Sequence, residues 1–257
     1  MKTPAAASPG MAGWAGALCL VLACMAPMPA WAQSAAPAAR TAADPRDPWE
    51  SMNRRVYDFN QTVDQALLKP LAQGYVRVTP GPVRQGVHNF FSNLGEVWTL
   101  TNTVLQLKPR AAAETLLRLT LNTTLGLAGV IDIATPMGLN RANEDLGQTL
   151  GRWGVPAGPY WVLPFFGPST LRDGLTVPVE WNADPVQGIA HATPRNAAIL
   201  LRTTGQRAEV LGAVDVVEGA ALDPYSFVRD AYLQKRRFDI YDGAPPSDFD
   251  YSDPDAP

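Results

Sequence analysis

The sequence predicts an all-α domain, and two observations support this fold class. Three Asp-Pro pairs, beginning at Asp47, Asp184 and Asp223, have the form of helix starts, because Asp caps a helix and Pro suits its first position. Between these pairs, apolar residues recur at spacings of three and four, as in amphipathic helices. The domain organisation that follows is a signal peptide (1–32), a flexible tether (33–46), a helical domain (47–242) and a disordered acidic tail (243–257).

Composition limits the partners of this domain. The chain has 257 residues, of which 46% are hydrophobic and only 18% are charged, below the ~25% of ordinary soluble domains. The net charge of −3 comes from 21 basic and 24 acidic side chains. Six of the acids follow Arg237, the last basic residue, so the rest of the chain carries −3 + 6 = +3. Nucleic acid is excluded as a partner by this balance, and the chain must bury much of its surface or contact an apolar medium.

The N-terminus has the pattern of an export signal. No residue from Thr3 to Ala39 is charged, and an apolar or small run follows Lys2, too short for a stable membrane anchor. Two cleavage sites compete. Cleavage before Cys24, which follows a lipobox-like Val-Leu-Ala, would leave Cys24 as a lipid anchor, whereas cleavage after Ala32 would leave Gln33 first. The two cysteines, Cys19 and Cys24, both lie in this region, so the mature domain has no disulfide.

The first predicted helix begins at Asp47, and Lys69-Pro70 weakens or ends it. Its apolar stripe comprises Trp49, Met52, Val56, Phe59, Val63 and Ala66.

Four further helices follow. The second spans about Gly86 to Lys108, and the third starts near Pro109 in a run of strong helix formers. The fourth spans Arg195 to Val217. The last helix, from Pro224, is predicted to place Phe227, Val228, Ala231 and Tyr232 inward.

Two uncharged segments do not fit a soluble helical bundle. Leu119–Ile131 has 13 residues around Gly126 and Gly129, too short to span a bilayer but long enough to enter one leaflet. Trp153–Leu171 has 19 residues, but its four prolines exclude a transmembrane helix. The alternative is that this proline-rich strip is a buried connector in a soluble domain.

The sequence offers no convincing catalytic, metal or cofactor site. Ser169 lacks the second glycine of a nucleophile elbow and is interpreted as a helix cap. The chain has only His88 and His191 and no mature cysteine, which argues against a zinc site or a cysteine nucleophile. Asp145 is interpreted as helix-dipole compensation and Asp173 as an arginine partner.

The remaining residues point to a membrane. Five tryptophans of the mature chain suit an interfacial belt, although ordinary core packing is the alternative for each. Arginine outnumbers lysine 17 to 4, and its planar fork suits phosphate contacts. Phospholipid headgroups are therefore plausible ligands.

Several ordered motifs resemble the MlaA (VacJ) family, over about Asp47 to Tyr241. They are long and rich in Gly, Pro and Asn, which makes the resemblance specific. In chain order they are Asp47-Pro48-Trp49-Glu50, Asn53-Arg54, Phe59-Asn60, Asn122-Thr123-Thr124-Leu125-Gly126, Gly147-Gln148-Thr149-Leu150-Gly151, Gly158-Pro159-Tyr160, Leu163-Pro164, Gly167-Pro168-Ser169, Leu171-Arg172-Asp173 and Asp223-Pro224-Tyr225.

The resemblance implies an outer-membrane lipoprotein of the Mla phospholipid-transport system, anchored in the periplasmic leaflet through Cys24. It also implies a ring of amphipathic helices embedded in one leaflet, with a short apolar hairpin, Pro-rich connectors and a central channel. Such a protein removes mislocalised phospholipid from the outer leaflet, associates with a trimeric porin and passes lipid to a soluble periplasmic carrier.

For this chain, the channel-lining candidates are Leu121, Leu125, Leu127, Val130 and Ile131, and the gating candidates are Phe59 and Asn60. Core packing is the alternative role of Phe59. Two other functions stay open: a periplasmic phospholipid hydrolase and a purely structural porin-associated lipoprotein.

Overall fold

The structure is a computed structural model that describes residues 44–214 and 221–246. The signal peptide, almost all of the tether, Val217 and most of the acidic tail therefore lie outside the described residues. The all-α prediction is confirmed, with a single two-stranded sheet in the described part of the chain.

The elements follow one another in this order: α1 (Glu50–Val63), a π-helical turn (Asp64–Leu68), α2 (Lys69–Val78), α3 (Gly81–Leu105), α4 (Pro109–Thr124), α5 (Leu146–Arg152), β1 (Tyr160–Leu163), β2 (Gly167–Thr170), α6 (Leu171–Ala183), a 3₁₀ turn (Pro185–Gly188), α7 (Ala192–Glu209) and α8 (Pro224–Ile240).

Helix starts at Asp184 and Asp223 are as predicted. Their carboxylates accept hydrogen bonds from the backbone N–H groups of Val186 (3.0 Å) and Ser226 (3.4 Å). The prediction at Asp47 is wrong, because α1 starts at Glu50 and no side chain caps it. The buried Asp47 carboxylate instead accepts hydrogen bonds from side chains elsewhere in the fold.

Other helix boundaries also differ from the predictions. Helix α3 begins at Gly81 rather than near Gly86, and α7 spans Ala192–Glu209 rather than Arg195 to Val217. Helical backbone continues past Lys69-Pro70 into α2, since Pro70 lies in the first turn, where a missing N–H removes little. The cap of α6 is Thr170 rather than Ser169: the N–H of Asp173 donates to Thr170 Oγ1 over 3.3 Å.

The Pro-rich strip contains a β-hairpin. Strands β1 and β2 pair antiparallel, with Tyr160 opposite Thr170 and Leu163 opposite Gly167. Tyr160 and Val162 of β1 are buried and contact Tyr225 of α8 in a small apolar cluster. The hairpin is thus packed against α8.

The interior of the domain is mainly polar. Among the described residues, 22 polar or charged residues are buried but only six apolar ones, while 33 large apolar residues are exposed. The buried face of α3 illustrates the pattern: it comprises Gly86, Asn89, Asn93, Glu96, Thr99, Asn102 and Thr103.

The last helix follows the same pattern, and its predicted inward face is only partly correct. Phe227 is 50% exposed and Ala231 is exposed, whereas Tyr232 packs against the buried apolar cluster as predicted. Tyr225 and Arg229 are buried. A soluble domain normally buries its large apolar side chains, so the exterior of this domain suits an apolar medium. No helix in the described part of the chain is long and apolar enough to cross a membrane.

Candidate functional site

A cavity of about 710 Å³ lies between α2, α3, α7 and the loop at Arg141–Asn143. Helix α3 supplies more of its lining residues than any other element. The polar and charged lining residues are Arg84, Gln85, His88, Ser92, Glu96, Thr99, Arg141, Asn143, Arg202, Gln206 and Glu209, and the apolar ones include Val76, Val87, Phe91, Ala208 and Leu211. The wall is therefore amphipathic, with three arginines and two glutamates.

A buried charge network stands beside this cavity and holds the loop after α4 in place. Arg118, fully buried on α4, donates from Nε to Glu96 Oε1 over 3.0 Å and from Nη1 to the carbonyl of Leu139 over 2.6 Å. Its Nη2 lies 3.3 Å from Asp132 Oδ2. Arg141, which lines the cavity, adds longer ion pairs of 3.5 Å to Glu96 and 3.6 Å to Asp132.

The pKa values of the two acids of the network shift in opposite directions. Burial raises the pKa of Glu96, and the charges of Arg118 and Arg141 offset this only in part. For Asp132, burial also acts upward, but hydrogen bonds from Thr135 and the charge of Arg118 outweigh it and lower the pKa to about 2. Asp132 therefore keeps its negative charge at neutral pH beside two arginines.

Ion pairs also join the elements around the cavity. His88 on α3 lies 2.5 Å through Nδ1 from Glu209 Oε1 on α7. Arg202 on α7 pairs with Asp184 over 2.6 Å, and Arg84 donates to the last carbonyls of α2, those of Val76 and Thr79. These contacts fix the polar wall to both flanking helices.

Two glycines leave part of this cavity open. A Cβ atom added to Gly95 on α3 or to Gly205 on α7 would meet no heavy atom within 4 Å. A larger side chain at either position can therefore grow into the cavity without a backbone clash.

A second, apolar groove of about 680 Å³ adjoins the first cavity. It is lined by Pro82, Val83, Gly86, Val87, Phe90 and Phe91 of α3, by Val130, and by Ala197, Ala198 and Leu201 of α7. Val87 and Phe91 line both spaces.

A model of the MlaA lipoprotein family matches residues 45–239 of this chain. The chain belongs to the MlaA lipoprotein family.

Individual relatives of the MlaA family agree with this assignment. The intermembrane phospholipid transport system lipoprotein MlaA of Escherichia coli K12 is 34% identical over 203 residues, which cover 75% of this chain and 77% of the relative. The lipoprotein of the same name from Haemophilus influenzae is 30% identical, with coverage of 77% and 80%. An uncharacterised protein of Rickettsia bellii is 34% identical over 76% of each chain.

A solved structure also matches the chain. It was determined in work on the structural basis for maintenance of bacterial outer membrane lipid asymmetry, and it is 34% identical with a TM-score of 0.65. The match covers 76% of this chain and 98% of the solved chain, so the fold of the MlaA family extends over nearly all of the described residues.

Asn60, a residue of the family motif Phe59-Asn60, binds the turn of the β-hairpin. Its Nδ2 donates to the carbonyl of Leu163 over 2.9 Å, and its Oδ1 accepts from the N–H of Phe165 over 2.8 Å. The ring of Phe59 meets the ring of Phe165 edge to face at 5.3 Å. Both gating candidates therefore contact the same hairpin turn.

Two turns of α1 earlier in the motif series, Asn53 binds the same edge of β1. Its Oδ1 accepts from the N–H of Val162 and its Nδ2 donates to the carbonyl of Tyr160. Asn53 and Asn60 are spaced by two helical turns. Their side chains hydrogen-bond backbone N–H and C=O groups that another strand could otherwise pair with.

The five channel-lining candidates lie at and after the end of α4. Val130 lines the apolar groove, and the carbonyl of Val130 accepts a hydrogen bond from Asn89 Nδ2. Leu125, Leu127 and Ile131 are at least half exposed and Leu121 is half-buried. The amphipathic cavity is lined by other residues, so the role of these five stays a prediction.

Sequence reasoning missed the polar lining of the cavity, although the pattern is visible in α3. His88, Ser92, Glu96 and Thr99 recur at spacings of four, four and three along this helix. A polar stripe of this kind is ordinarily assigned to solvent, and only its packing against α7 makes it a cavity wall. Asp173 does pair with arginine, as predicted, through Arg172 and Arg236.

Proposed function

We propose that this chain is a lipoprotein of the outer membrane that lets mislocalised phospholipid leave the outer leaflet through the amphipathic cavity. The observation that carries the proposal is the distribution of polarity: a polar, charged cavity lies within a domain whose exterior is apolar. The names of the relatives from Escherichia coli and Haemophilus influenzae support phospholipid as the transported molecule.

The cavity would act by lowering the cost of moving a charged headgroup through apolar surroundings. An unpaired ion or polar group in hydrocarbon costs several kcal/mol or more, whereas Arg141, Gln85, Gln206 and Ser92 offer hydrogen-bond partners along the wall. No covalent step is required, and the direction of flow comes from the affinity of the acceptor. The soluble periplasmic carrier of the Mla system is the proposed acceptor, and a trimeric porin is the proposed neighbour in the membrane.

The gating candidates act through the hairpin in this proposal. Phe59 and Asn60 hold the turn at Phe165, so a change in these contacts would let the hairpin move. The exposed apolar residues Leu125, Leu127, Val130 and Ile131 would contact acyl chains, together with the half-buried Leu121.

Phospholipid in the outer leaflet of a deletion strain tests this function. We expect the amount to rise on deletion and to return to normal when the full-length chain is expressed again. A normal outer leaflet in the deletion strain would favour a purely structural porin-associated role instead.

Incubation of the purified chain with phospholipid liposomes separates transport from hydrolysis. Transport predicts intact lipid, because no bond is broken. Release of fatty acid in proportion to the protein added would contradict the transport proposal and support a hydrolase.

The proposed lipid anchor at Cys24 has its own test. Mass spectrometry of the mature N-terminus should find acylated Cys24, and Cys24→Ala should mislocalise the protein. A mature chain that starts at Gln33, free or cyclised, would place cleavage after Ala32 and remove the anchor from the proposal.

A further inference from the structure

The amphipathic cavity and the apolar groove are built from the same two helices. Helix α3 advances about 100° per residue, so Val83, Gly86 and Phe90 form a stripe next to that of Arg84, His88 and Gly95. Val87 and Phe91 fall on the boundary and line both spaces.

Helix α7 divides in the same way. Ala197, Ala198 and Leu201, nearer its N-terminus, line the groove, whereas Arg202, Gln206 and Glu209, nearer its C-terminus, line the cavity. The change from apolar to polar lining therefore occurs on both facing helices.

Small residues keep the groove open. Gly86 and the two alanines of α7 present little side chain, and a Cβ at Gly86 would come within 3.0 Å of Val130 Cγ1. Phe90 and Phe91 meet edge to face at 5.3 Å and form an apolar wall. A volume of about 680 Å³ is within the range of ligand-binding pockets.

We propose that the groove binds an acyl chain of the same phospholipid whose headgroup occupies the amphipathic cavity, with Val87 and Phe91 at the junction. This inference rests on the proposed function and adds to it a defined binding site for the lipid tail. The continuity of the two spaces supports this occupant. A phospholipid joins a charged head to an apolar chain, and α3 and α7 likewise join the polar wall of the cavity to the apolar wall of the groove. The tail is held by burial of its methylene groups and contributes no hydrogen bond.

Photolabelling of the full-length chain in detergent micelles tests the proposal with two probes. One is phosphatidylethanolamine that carries a diazirine midway along an acyl chain, and the other carries the diazirine on the headgroup amine. After irradiation, peptide mass spectrometry maps the adducts. We expect the chain probe to label Phe90 and Leu201 and the headgroup probe to label Gln85 and Gln206.

The two probes separate failure of this inference from failure of the proposed function. Chain-probe adducts spread over exposed apolar residues such as Leu117, together with headgroup adducts in the cavity, would overturn the groove but leave the transport proposal standing. Headgroup adducts that avoid the cavity would overturn both.

Substitutions that fill the groove give the second readout. Ala198→Trp on α7 and Val83→Trp on α3 add bulk from opposite walls, and Leu200→Trp places the same side chain at an exposed apolar position of α7 that lines neither space. We expect groove labelling by the chain probe to fall about tenfold in the first two, since each methylene that loses apolar contact changes partitioning about fourfold.

Leu200→Trp should change this labelling less than about twofold, because an exposed surface position should leave the affinity nearly unaltered. If Ala198→Trp does not fold, Val83→Trp provides the test, because Val83 is exposed and its replacement should be tolerated. The proposal is overturned if a folded variant with Trp in the groove is still labelled there by the chain probe. Loss of binding to another protein in the same variant would not rescue it.

Discussion

At the scale of single residues, Arg118 shows how this domain satisfies a charge in its interior. Its guanidinium contacts Glu96, Asp132, Thr135 and the Leu139 carbonyl, so it is both paired and hydrogen-bonded. Removing one partner of such a buried group costs about 3–5 kcal/mol. The network therefore fixes the loop after α4 beside the cavity.

Replacement of Asp132 by Asn removes the charge but keeps a polar side chain beside Arg118, so it is expected to cost less than full removal of a partner. We expect it to lower the free energy of unfolding by about 2 kcal/mol at neutral pH. The folded state lowers the pKa of Asp132 from 3.8 to about 2, so the carboxylate stabilises the fold fully above pH 3.8, and this contribution is lost as the pH falls toward 2. Thermal unfolding from pH 7 to pH 2 in detergent measures the difference, which should shrink across that window.

Asp239→Asn is the matched control, because Asp239 pairs with the exposed Lys235 within α8. Such pairs contribute about 0.5 kcal/mol or less. Equal effects of the two substitutions, or an Asp132→Asn effect that does not shrink in acid, would contradict the account of the network.

At the scale of elements, α1 positions the β-hairpin through two asparagines rather than through apolar packing alone. Asn53 and Asn60 each both donate to and accept from backbone groups at the β1 edge or turn. An isolated two-stranded hairpin is marginal in water, so these contacts and the Tyr160–Tyr225 cluster hold it.

Asn60→Ala is expected to release the hairpin turn. Two backbone groups lose their partners, which costs about 1–3 kcal/mol. Hydrogen exchange at the Phe165 amide should therefore accelerate. The control Asn182→Ala removes an exposed hydrogen bond within α6 and should leave exchange at that amide unchanged. If the Phe165 amide stays protected in both variants, Asn60 does not hold the hairpin turn.

The exposed apolar face of α4 makes a second prediction at this scale. Leu117 is 51% exposed. Contact of its exposed half with lipid contributes about 1 kcal/mol to the free energy of membrane binding. Leu117→Glu should therefore weaken vesicle binding about tenfold or more, because it also places a charge at the bilayer. Thermal stability in detergent should be unchanged.

Leu117→Met keeps the side chain apolar and should bind vesicles as the unmodified chain does. Flotation with phospholipid vesicles measures both variants in a Cys24→Ala background, so that an acyl anchor does not mask the change. Loss of detergent stability in Leu117→Glu would indicate that this face packs against protein instead.

At the scale of the whole molecule, local patterns predicted the helices but not the inverted interior. The spacing around Trp49 to Val63 and the caps at Asp184 and Asp223 are properties of short segments, so they can be recognised in sequence. Periodicity identifies an apolar face without indicating whether that face meets a core or a lipid, which is why Phe227 was predicted inward but is exposed.

The cavity depends on residues that are far apart in the chain. His88 and Glu209 meet only because α3 packs against α7, and no local pattern encodes that contact. The resemblance to a family of lipid-transport lipoproteins predicted a channel, but the residues chosen from the apolar segment Leu121–Ile131 are not those that line the amphipathic cavity.

If phospholipid passes through the amphipathic cavity, filling that cavity should stop its transport. Gly95→Phe with Gly205→Phe places two rings in open space within the cavity, and Gly74→Phe places one on α2 in open space outside it. Helical glycines replaced in this way should not destabilise the fold. Equal amounts of each folded variant are expressed in the deletion strain, and outer-leaflet phospholipid is measured. We predict that Gly74→Phe restores the normal amount of outer-leaflet phospholipid and that the double variant leaves this amount raised. Full restoration by the double variant would contradict the passage of phospholipid through this cavity.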